Sequence, residues 1–93
     1  ENPPRMKAHA MPSFLQQFAR LSPDVQRRAY RAYHLWRMNP FAGSLRFKRV
    51  SEQEPIYSIR IGLSHRALGL LDGNVIYWYF IGDHDDYERE LGG

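Results

Sequence analysis

The chain has 93 residues, of which 43% are hydrophobic and 14% aromatic, enough for one small folded core and too few for a second domain. It contains no cysteine, which excludes disulfide scaffolds, thiolate zinc sites and cysteine nucleophiles and fits a reducing compartment. The formal net charge of +3 is unevenly spread, because residues 5–66 hold nearly all Lys and Arg whereas residues 83–90 are acidic. This basic body indicates an anionic partner such as nucleic acid or an acidic protein segment, although a solvated charged surface gives the same pattern.

The amino-terminal residues 1–11 show no periodicity and include Asn2-Pro3-Pro4. They are predicted to be a flexible arm or residues foreign to the native chain, with Met6 or Met11 as the native start, so the folded domain is expected at residues 12–93. The sequence has no apolar run long enough to span a membrane and no signal-peptide pattern at its start. A cytoplasmic location is therefore expected.

Two amphipathic helices are predicted next. Residues 13–21 place Phe14, Leu15, Phe18 and Leu21 at helical spacing. Ser22-Pro23-Asp24 then starts a second helix with a capping side chain, a proline at the first position and a favourably placed acid. This helix is expected to end near Met38, before Asn39-Pro40, with Val25, Ala29, Tyr33 and Trp36 facing inward. So short a link predicts an antiparallel helical hairpin.

Four strands should follow. The period changes to two at residues 45–50, and further strands are predicted at residues 57–61, 66–71 and 75–81, with Asp72-Gly73-Asn74 as a hairpin turn. The four consecutive aromatics at residues 77–80 must face both ways, so we assign them to structure and not to base stacking. Residues 83–91 are predicted to form a short helix capped by Asp83. The fold class is α+β: a helical hairpin packed on a four-stranded, mainly antiparallel sheet with a short C-terminal helix.

Basic side chains are candidates for binding phosphate. Arg46 and Lys48 are expected on one face of the first predicted strand, Arg60 on the second and Arg66 at the head of the third. If they converge, they can neutralise phosphates and stabilise charge on a transferring phosphoryl group. The alternative is an ordinary solvated face.

His84 and Tyr87 stand three residues apart on the last predicted helix, and so on one side of it. Metal-free cleavage of RNA needs a base for the ribose 2′-hydroxyl and an acid for the leaving 5′-oxygen, and an imidazole suits either role. The alternative is that Tyr87 docks the helix while His84 is a surface residue. No metal site is predicted, because carboxylates at a helix start are more often partners of its dipole and the other histidines lack ligand spacing.

Several segments together resemble the RelE/ParE toxin superfamily, above all its chromosomal RelE/HigB-like members. They are the helical hairpin that ends at Asn39-Pro40, residues 45–48, 57–62 and 65–69, and residues 76–87, an aromatic strand that runs into an Ile-Gly-x-His-x-x-Tyr ending. The resemblance covers about residues 13–91. It implies a RelE-like fold and a toxin of a type II toxin-antitoxin system, whose antitoxin wraps it and blocks its active face.

The resemblance also implies an activity, in which ribonuclease members cut messenger RNA on the ribosome without metal or cofactor and leave a cyclic phosphate. Arg66 matches the family's phosphate-binding arginine, Arg60 a basic position, Tyr87 the terminal tyrosine, and His84 a basic or histidine position. Two features depart from the pattern, because the last helix is acidic and His65 replaces an aromatic residue. Two alternatives therefore stay open: a ParE-like poison of DNA gyrase, and a non-catalytic module that binds only its antitoxin.

Overall fold

A computed structural model describes residues 6–92 of the chain. The elements are β1 (Lys7–Ala10), α1 (Pro12–Ala19), α2 (Pro23–Met38), a 3-10 turn (Gly43–Leu45), β2 (Lys48–Arg49), β3 (Ile56–Ile61), β4 (His65–Asp72), β5 (Val75–Asp83) and α3 (His84–Gly92). The fold is α+β, as predicted, with the helical hairpin on one face of the sheet and α3 on the other. No helix within residues 6–92 is both long and apolar enough to cross a membrane.

The start of α2 follows the sequence signals. The Ser22 hydroxyl accepts a hydrogen bond from the Val25 amide at 3.3 Å, and Pro23 and Asp24 occupy the first turn. At the other end, the Asn39 amide donates to the Leu35 carbonyl at 2.7 Å before Pro40 stops the helix. Of the predicted inward stripe, Ala29 and Trp36 are buried, together with Ala32, whereas Val25 and Tyr33 are half-buried.

The sheet has five strands, not the four expected, in the order β1-β5-β4-β3-β2. Neighbours from β2 to β5 are antiparallel, whereas β1 runs parallel to β5 with Lys7 opposite Val75. The predicted flexible arm is therefore wrong for residues 7–10, and residues 1–5 lie outside the described part of the chain. Strand β1 lacks large apolar residues. Backbone hydrogen bonds hold its two ends, from Lys7 N to Asn74 O at 2.7 Å and from Met11 N to Trp78 O at 2.8 Å.

The first strand of the predicted meander is also shorter than expected. Leu45 ends the 3-10 turn with its side chain buried, and Arg46 follows with a left-handed backbone, φ 48°. This conformation costs a non-glycine residue on the order of 1 kcal/mol. It lies between two residues that both reach the core, Leu45 and Phe47. Only Lys48 and Arg49 pair with β3, so the prediction that Arg46 lies on a strand face is wrong.

The core lies between the helices and the sheet. Trp36 is fully buried at its centre, with its ring 5.6 Å from that of Trp78 and 5.9 Å from that of Phe47. Helix α1 runs beside the part of β5 that β1 does not pair. There the Gln17 side-chain oxygen accepts from the Ile81 amide at 2.9 Å, and the Ser13 hydroxyl donates to the Tyr79 carbonyl at 2.7 Å. These side chains satisfy an edge that would otherwise be open.

A smaller apolar cluster occupies the opposite face of the sheet and docks α3. Its buried members are Leu68, Phe80 and Tyr87. The Asp83 carboxylate caps α3 by accepting from the Asp86 amide at 2.9 Å, as the sequence predicted. The aromatic run of β5 is structural, because Trp78 belongs to the helix-side core and Phe80 to this second cluster.

Candidate nucleic-acid interface

Arg60 and Arg66 face each other across the β3–β4 ladder, where they are register partners. Their neighbours Ile59, Ile61 and Ala67 belong to the helix-side core, so alternation places both arginines on the opposite face. Side chains directly opposed in an antiparallel pair have Cβ atoms about 5 Å apart. The two cations that were expected to converge are therefore register partners on one face of the sheet.

Neither guanidinium is neutralised by a carboxylate within residues 6–92. Arg60 Nε donates to the Gly62 carbonyl at 3.1 Å, and Arg66 Nη1 donates to the His65 carbonyl at 3.2 Å. Both residues are half-buried, and neither forms an ion pair in the described part of the chain. Like charges directly opposed on a sheet destabilise it, unless an anion bridges them. The planar donors of a guanidinium match the oxygens of a phosphate.

Lys48 extends this face toward the sheet edge. It pairs with Ser58, one pleat along β3 from Arg60 and on the same side. Ser58 itself is buried. Of the two residues expected to hold flanking phosphates, Lys48 thus shares the face of the arginine pair. Arg46 precedes β2 and joins no ladder.

The first turn of α3 lies beside Arg66. Gly82 is the register partner of Arg66, and a Cβ at Gly82 would lie 2.9 Å from the Phe80 ring and 3.0 Å from the Asp86 Cβ. Only glycine allows so close an approach of helix and strand. The site is thus a shelf, formed by the two arginines and bounded on one side by the start of α3.

His84 and Tyr87 do not share an environment, although their spacing predicted one side of the helix. The His84 side chain is 70% exposed, with Nε2 3.7 Å from Glu88 Oε1. Tyr87 is 9% exposed and packs with Leu68 and Phe80. His84 is two residues beyond Gly82 and so lies at the same end of the sheet as Arg66, whereas Tyr87 docks α3 on the sheet.

Two acidic residues at the start of α3, Asp83 and Asp86, have structural partners. A hydrogen bond from the Asp86 backbone holds the pKa of Asp83 below its usual value. It outweighs the opposing effect of desolvation, and the charges of His65 and Arg89 lower the pKa further. The Asp86 carboxylate pairs with Arg89 and lines a polar cavity with Gln17 and Arg20 of the α1 side. These carboxylates cap or neutralise the helix, and Asp86 makes no ion pair with Arg66 in the described region.

Two further surfaces were not predicted from the sequence. An apolar groove of about 220 Å³ lies between α1, α2 and the sheet, and Leu15 and Tyr30 on its walls are 54% and 58% exposed. A second groove, of about 420 Å³, lies between α2, the 3-10 turn and the end of β3. Both depend on the distance between the helices and the sheet, which helical periodicity does not reveal.

Within residues 6–92, no three His, Asp and Glu side chains are grouped so that they could hold a metal ion.

Comparison with known proteins identifies similar folds. The family model described as a ParE-like toxin domain matches residues 23–89. Among solved structures, the RelB-RelE antitoxin-toxin complex from Methanococcus jannaschii is 13% identical, covers 88% of this chain and 96% of its own, and gives a TM-score of 0.67. YafQ from E. coli is 9% identical, with coverage of 89% and 98% and a TM-score of 0.69. The YoeB/ParE toxin from Agrobacterium tumefaciens is 17% identical, with coverage of 85% and 99% and a TM-score of 0.66. No curated protein matches the chain significantly.

Proposed function

We propose a function for this chain from the premise that it belongs to the family of ParE-like toxin domains, within the RelE/ParE toxin superfamily. It is a cytoplasmic toxin of a type II toxin-antitoxin system that cleaves messenger RNA on the ribosome. The observation that carries this proposal is the opposed pair Arg60 and Arg66, which no carboxylate neutralises within residues 6–92. A phosphodiester is the anion in messenger RNA that such a pair would bind.

The proposed reaction is an internal transesterification. The ribose 2′-oxygen forms a bond to phosphorus while the bond from phosphorus to the 5′-oxygen breaks, which gives a 2′,3′-cyclic phosphate and a free 5′-hydroxyl. A base removes the 2′-hydroxyl proton and an acid supplies a proton to the 5′-oxygen. Arg66 and Arg60 stabilise the charge on the phosphoryl oxygens, and Lys48 binds a neighbouring phosphate. The exposed imidazole of His84, at the same end of the sheet, is the proposed group for proton transfer.

Tyr87 remains a proposed second proton-transfer group. Because its side chain is buried, the alternative is that it only anchors α3 on the sheet. A test with Tyr87→Phe separates the two roles, because phenylalanine keeps the ring that packs on Leu68 and Phe80 but removes the hydroxyl. If the hydroxyl transfers a proton, cleavage falls by on the order of a hundredfold with unchanged stability. If the ring only anchors α3, Tyr87→Phe retains full cleavage.

The proposal is tested with purified protein and translating ribosomes programmed with a defined messenger RNA, where cleavage sites are mapped by primer extension. We expect Arg66→Ala and His84→Gln to abolish most cleavage, and Arg66→Lys to restore only part of it because an ammonium lacks the planar fork. Arg37→Ala is the matched control, since its guanidinium binds the Tyr33 hydroxyl at 3.0 Å on α2. Intact messenger RNA with the wild type contradicts the nuclease.

A second candidate is a ParE-like poison of DNA gyrase. Two observations favour it: the matching family model is ParE-like, and Tyr87 is buried, so one expected proton-transfer side chain is not displayed with the arginines. Such a toxin would inhibit supercoiling and induce DNA breaks while translated transcripts stay whole. Supercoiling and cleavage assays on the same preparation therefore decide between the two targets, and inactivity in both leaves the module that binds only its antitoxin.

The antitoxin is the proposed protein partner, and it is expected to place an amphipathic segment in the apolar groove between α1 and α2. Leu15 and Tyr30 expose apolar surface there, and Asp24 is the only acidic residue between positions 6 and 51. A segment with apolar anchors and acidic flanks complements such a surface. Carboxylates of the same antitoxin would bind Arg60 or Arg66 and so block the shelf. Leu15→Asp should weaken the complex without changing cleavage by the free toxin.

A further inference from the structure

Three arginines from two elements surround the groove at the end of β3. Arg28 and Arg31 project from α2 and Arg60 from β3, around a cavity of about 420 Å³ that also includes Gly62 and Leu63. Because i and i+3 positions on a helix are neighbours, the Cβ atoms of Arg28 and Arg31 are about 5–6 Å apart. The arginine groove, as we name these residues, is thus a second cationic surface that contains one member of the opposed pair.

The local fold explains why the three side chains meet. Strand β2 pairs only with Tyr57 and Ser58, so the outer edge of β3 beyond them has no partner strand. Helix α2 and the 3-10 turn lie there instead. Gly62 has a left-handed φ of 61°, and a Cβ at this position would lie 3.1 Å from Arg28 Cδ. The stem of Arg28 therefore packs over Gly62, and its head is held at the groove.

The charges of the groove are largely unneutralised. Asp24 lies 3.6 Å from Arg28, but it makes a shorter contact, 2.6 Å, with Arg27. Arg31 and Arg60 form no ion pair within residues 6–92. Grouped cations with one shared carboxylate repel each other, and a bound polyanion removes that repulsion.

We propose that the arginine groove binds the phosphate backbone of the single-stranded RNA that flanks the cleavage site. This inference rests on the proposed nuclease function. Arg60 connects the two surfaces, because it faces Arg66 across the sheet and also lines the groove. A strand with one phosphate at Arg60 and Arg66 would continue over the end of β3, and its next phosphates would meet Arg31 and Arg28. The path leads from the shelf to α2.

The lining indicates how the RNA is bound. The groove has apolar residues and no aromatic ring, so it offers no platform for stacking of bases. Recognition there would be by charge and would not depend on sequence. An acidic peptide would also suit guanidinium groups. RNA is favoured because the groove is continuous with the opposed pair, whereas the apolar groove between α1 and α2 suits a peptide.

The test uses fluorescence anisotropy with a labelled oligouridylate of about eight nucleotides, bound to His84→Gln protein so that cleavage does not interfere. Removal of one phosphate contact lowers the salt slope of binding to a single strand by about 0.7. We expect Arg31→Ala to weaken binding several-fold with a slope change of this size, and Arg31→Lys to restore most of it. Arg37→Ala, on the same helix but outside the groove, should change neither quantity.

The outcomes separate this proposal from the nuclease function. Unchanged affinity and salt slope in Arg28→Ala, Arg31→Ala and the double variant overturn the groove. If these variants lose binding to an acidic peptide while their RNA binding is intact, the RNA proposal is also overturned and the groove is assigned to a protein partner. If groove-dependent RNA binding is found but the wild type cuts no ribosomal messenger, the nuclease proposal fails and the groove stands. On ribosomes, Arg31→Ala should raise KM and leave kcat unchanged, because Arg31 would bind a flanking phosphate and not the reacting one.

Discussion

The two faces of the sheet differ in what covers them. The helix side is sealed by aromatic packing around Trp36, whose ring meets those of Trp78 and Phe47 edge to face. The opposite side is covered only where α3 docks through Tyr87, and the rest displays Arg60 and Arg66. Strand β3 contributes to both faces, because alternation sends Ile59 and Ile61 to the helix side and Arg60 to the other.

This difference indicates how a chain of 93 residues combines stability with binding. A small domain must obtain most of its stability from one well-packed core, so the second face is left free for cations that contribute little to folding. Stability and function should therefore respond to substitutions on different faces.

The largest effect is expected at the centre of the helix side. Trp36→Ala removes a fully buried indole and should destabilise the domain by about 3–5 kcal/mol. Such a loss is a large part of the total stability of a small domain. Arg66→Ala on the other face should leave stability unchanged or slightly higher, because it relieves repulsion from Arg60. Urea unfolding of both variants measures the contrast, and equal losses would contradict the assignment of the two faces.

A smaller effect is expected at a tight approach within the helix-side layer. A Cβ at Gly69 would lie 2.7 Å from Ile76 Cγ1 and 2.8 Å from Trp78 Cε3, both held in the core. Gly69→Ala should therefore destabilise the protein by about 1–3 kcal/mol. Gly43→Ala is the matched control, because nothing lies within 4 Å of the added atom. If both variants unfold at the same urea concentration, β5 does not pack over Gly69 as described.

Local sequence rules predicted those elements whose determinants are local. Ser22-Pro23-Asp24 and Asn39-Pro40 define α2, Asp72-Gly73-Asn74 joins β4 to β5, and Asp83 caps α3. The alternation that opposes Arg60 and Arg66 was also visible. These features depend on residues within a turn or two of each other.

Tertiary contacts determined the rest. Strand β1 has no apolar pattern of its own and pairs with the distant β5. Because Leu45 is buried at the end of the 3-10 turn, β2 is shorter than predicted and Arg46 lies outside it. Tyr87 packs on Leu68 and Phe80 and therefore does not lie on the exposed side of α3. The two grooves depend on the spacing of elements far apart in the chain. None of these distances can be read from helical or strand periodicity.

The smallest predicted effect concerns the docking of α3 on the less covered face, and it depends on pH. The pKa of Asp83 is lowered in the folded protein, chiefly because its carboxylate accepts a hydrogen bond from the Asp86 amide. A group with a lowered folded pKa stabilises the fold above its unfolded pKa, about 3.9 for Asp, and this stabilisation is lost as pH falls through the folded pKa. Protection of the α3 amides from hydrogen exchange should thus decrease below about pH 4 while the helix-side core stays protected. Asp83→Asn keeps a capping oxygen without a charge, so its protection should lose this acid dependence, whereas Asp83→Ala should be weakly protected at every pH. An Asn variant that follows the wild-type pH curve would show that another carboxylate of α3 controls its docking.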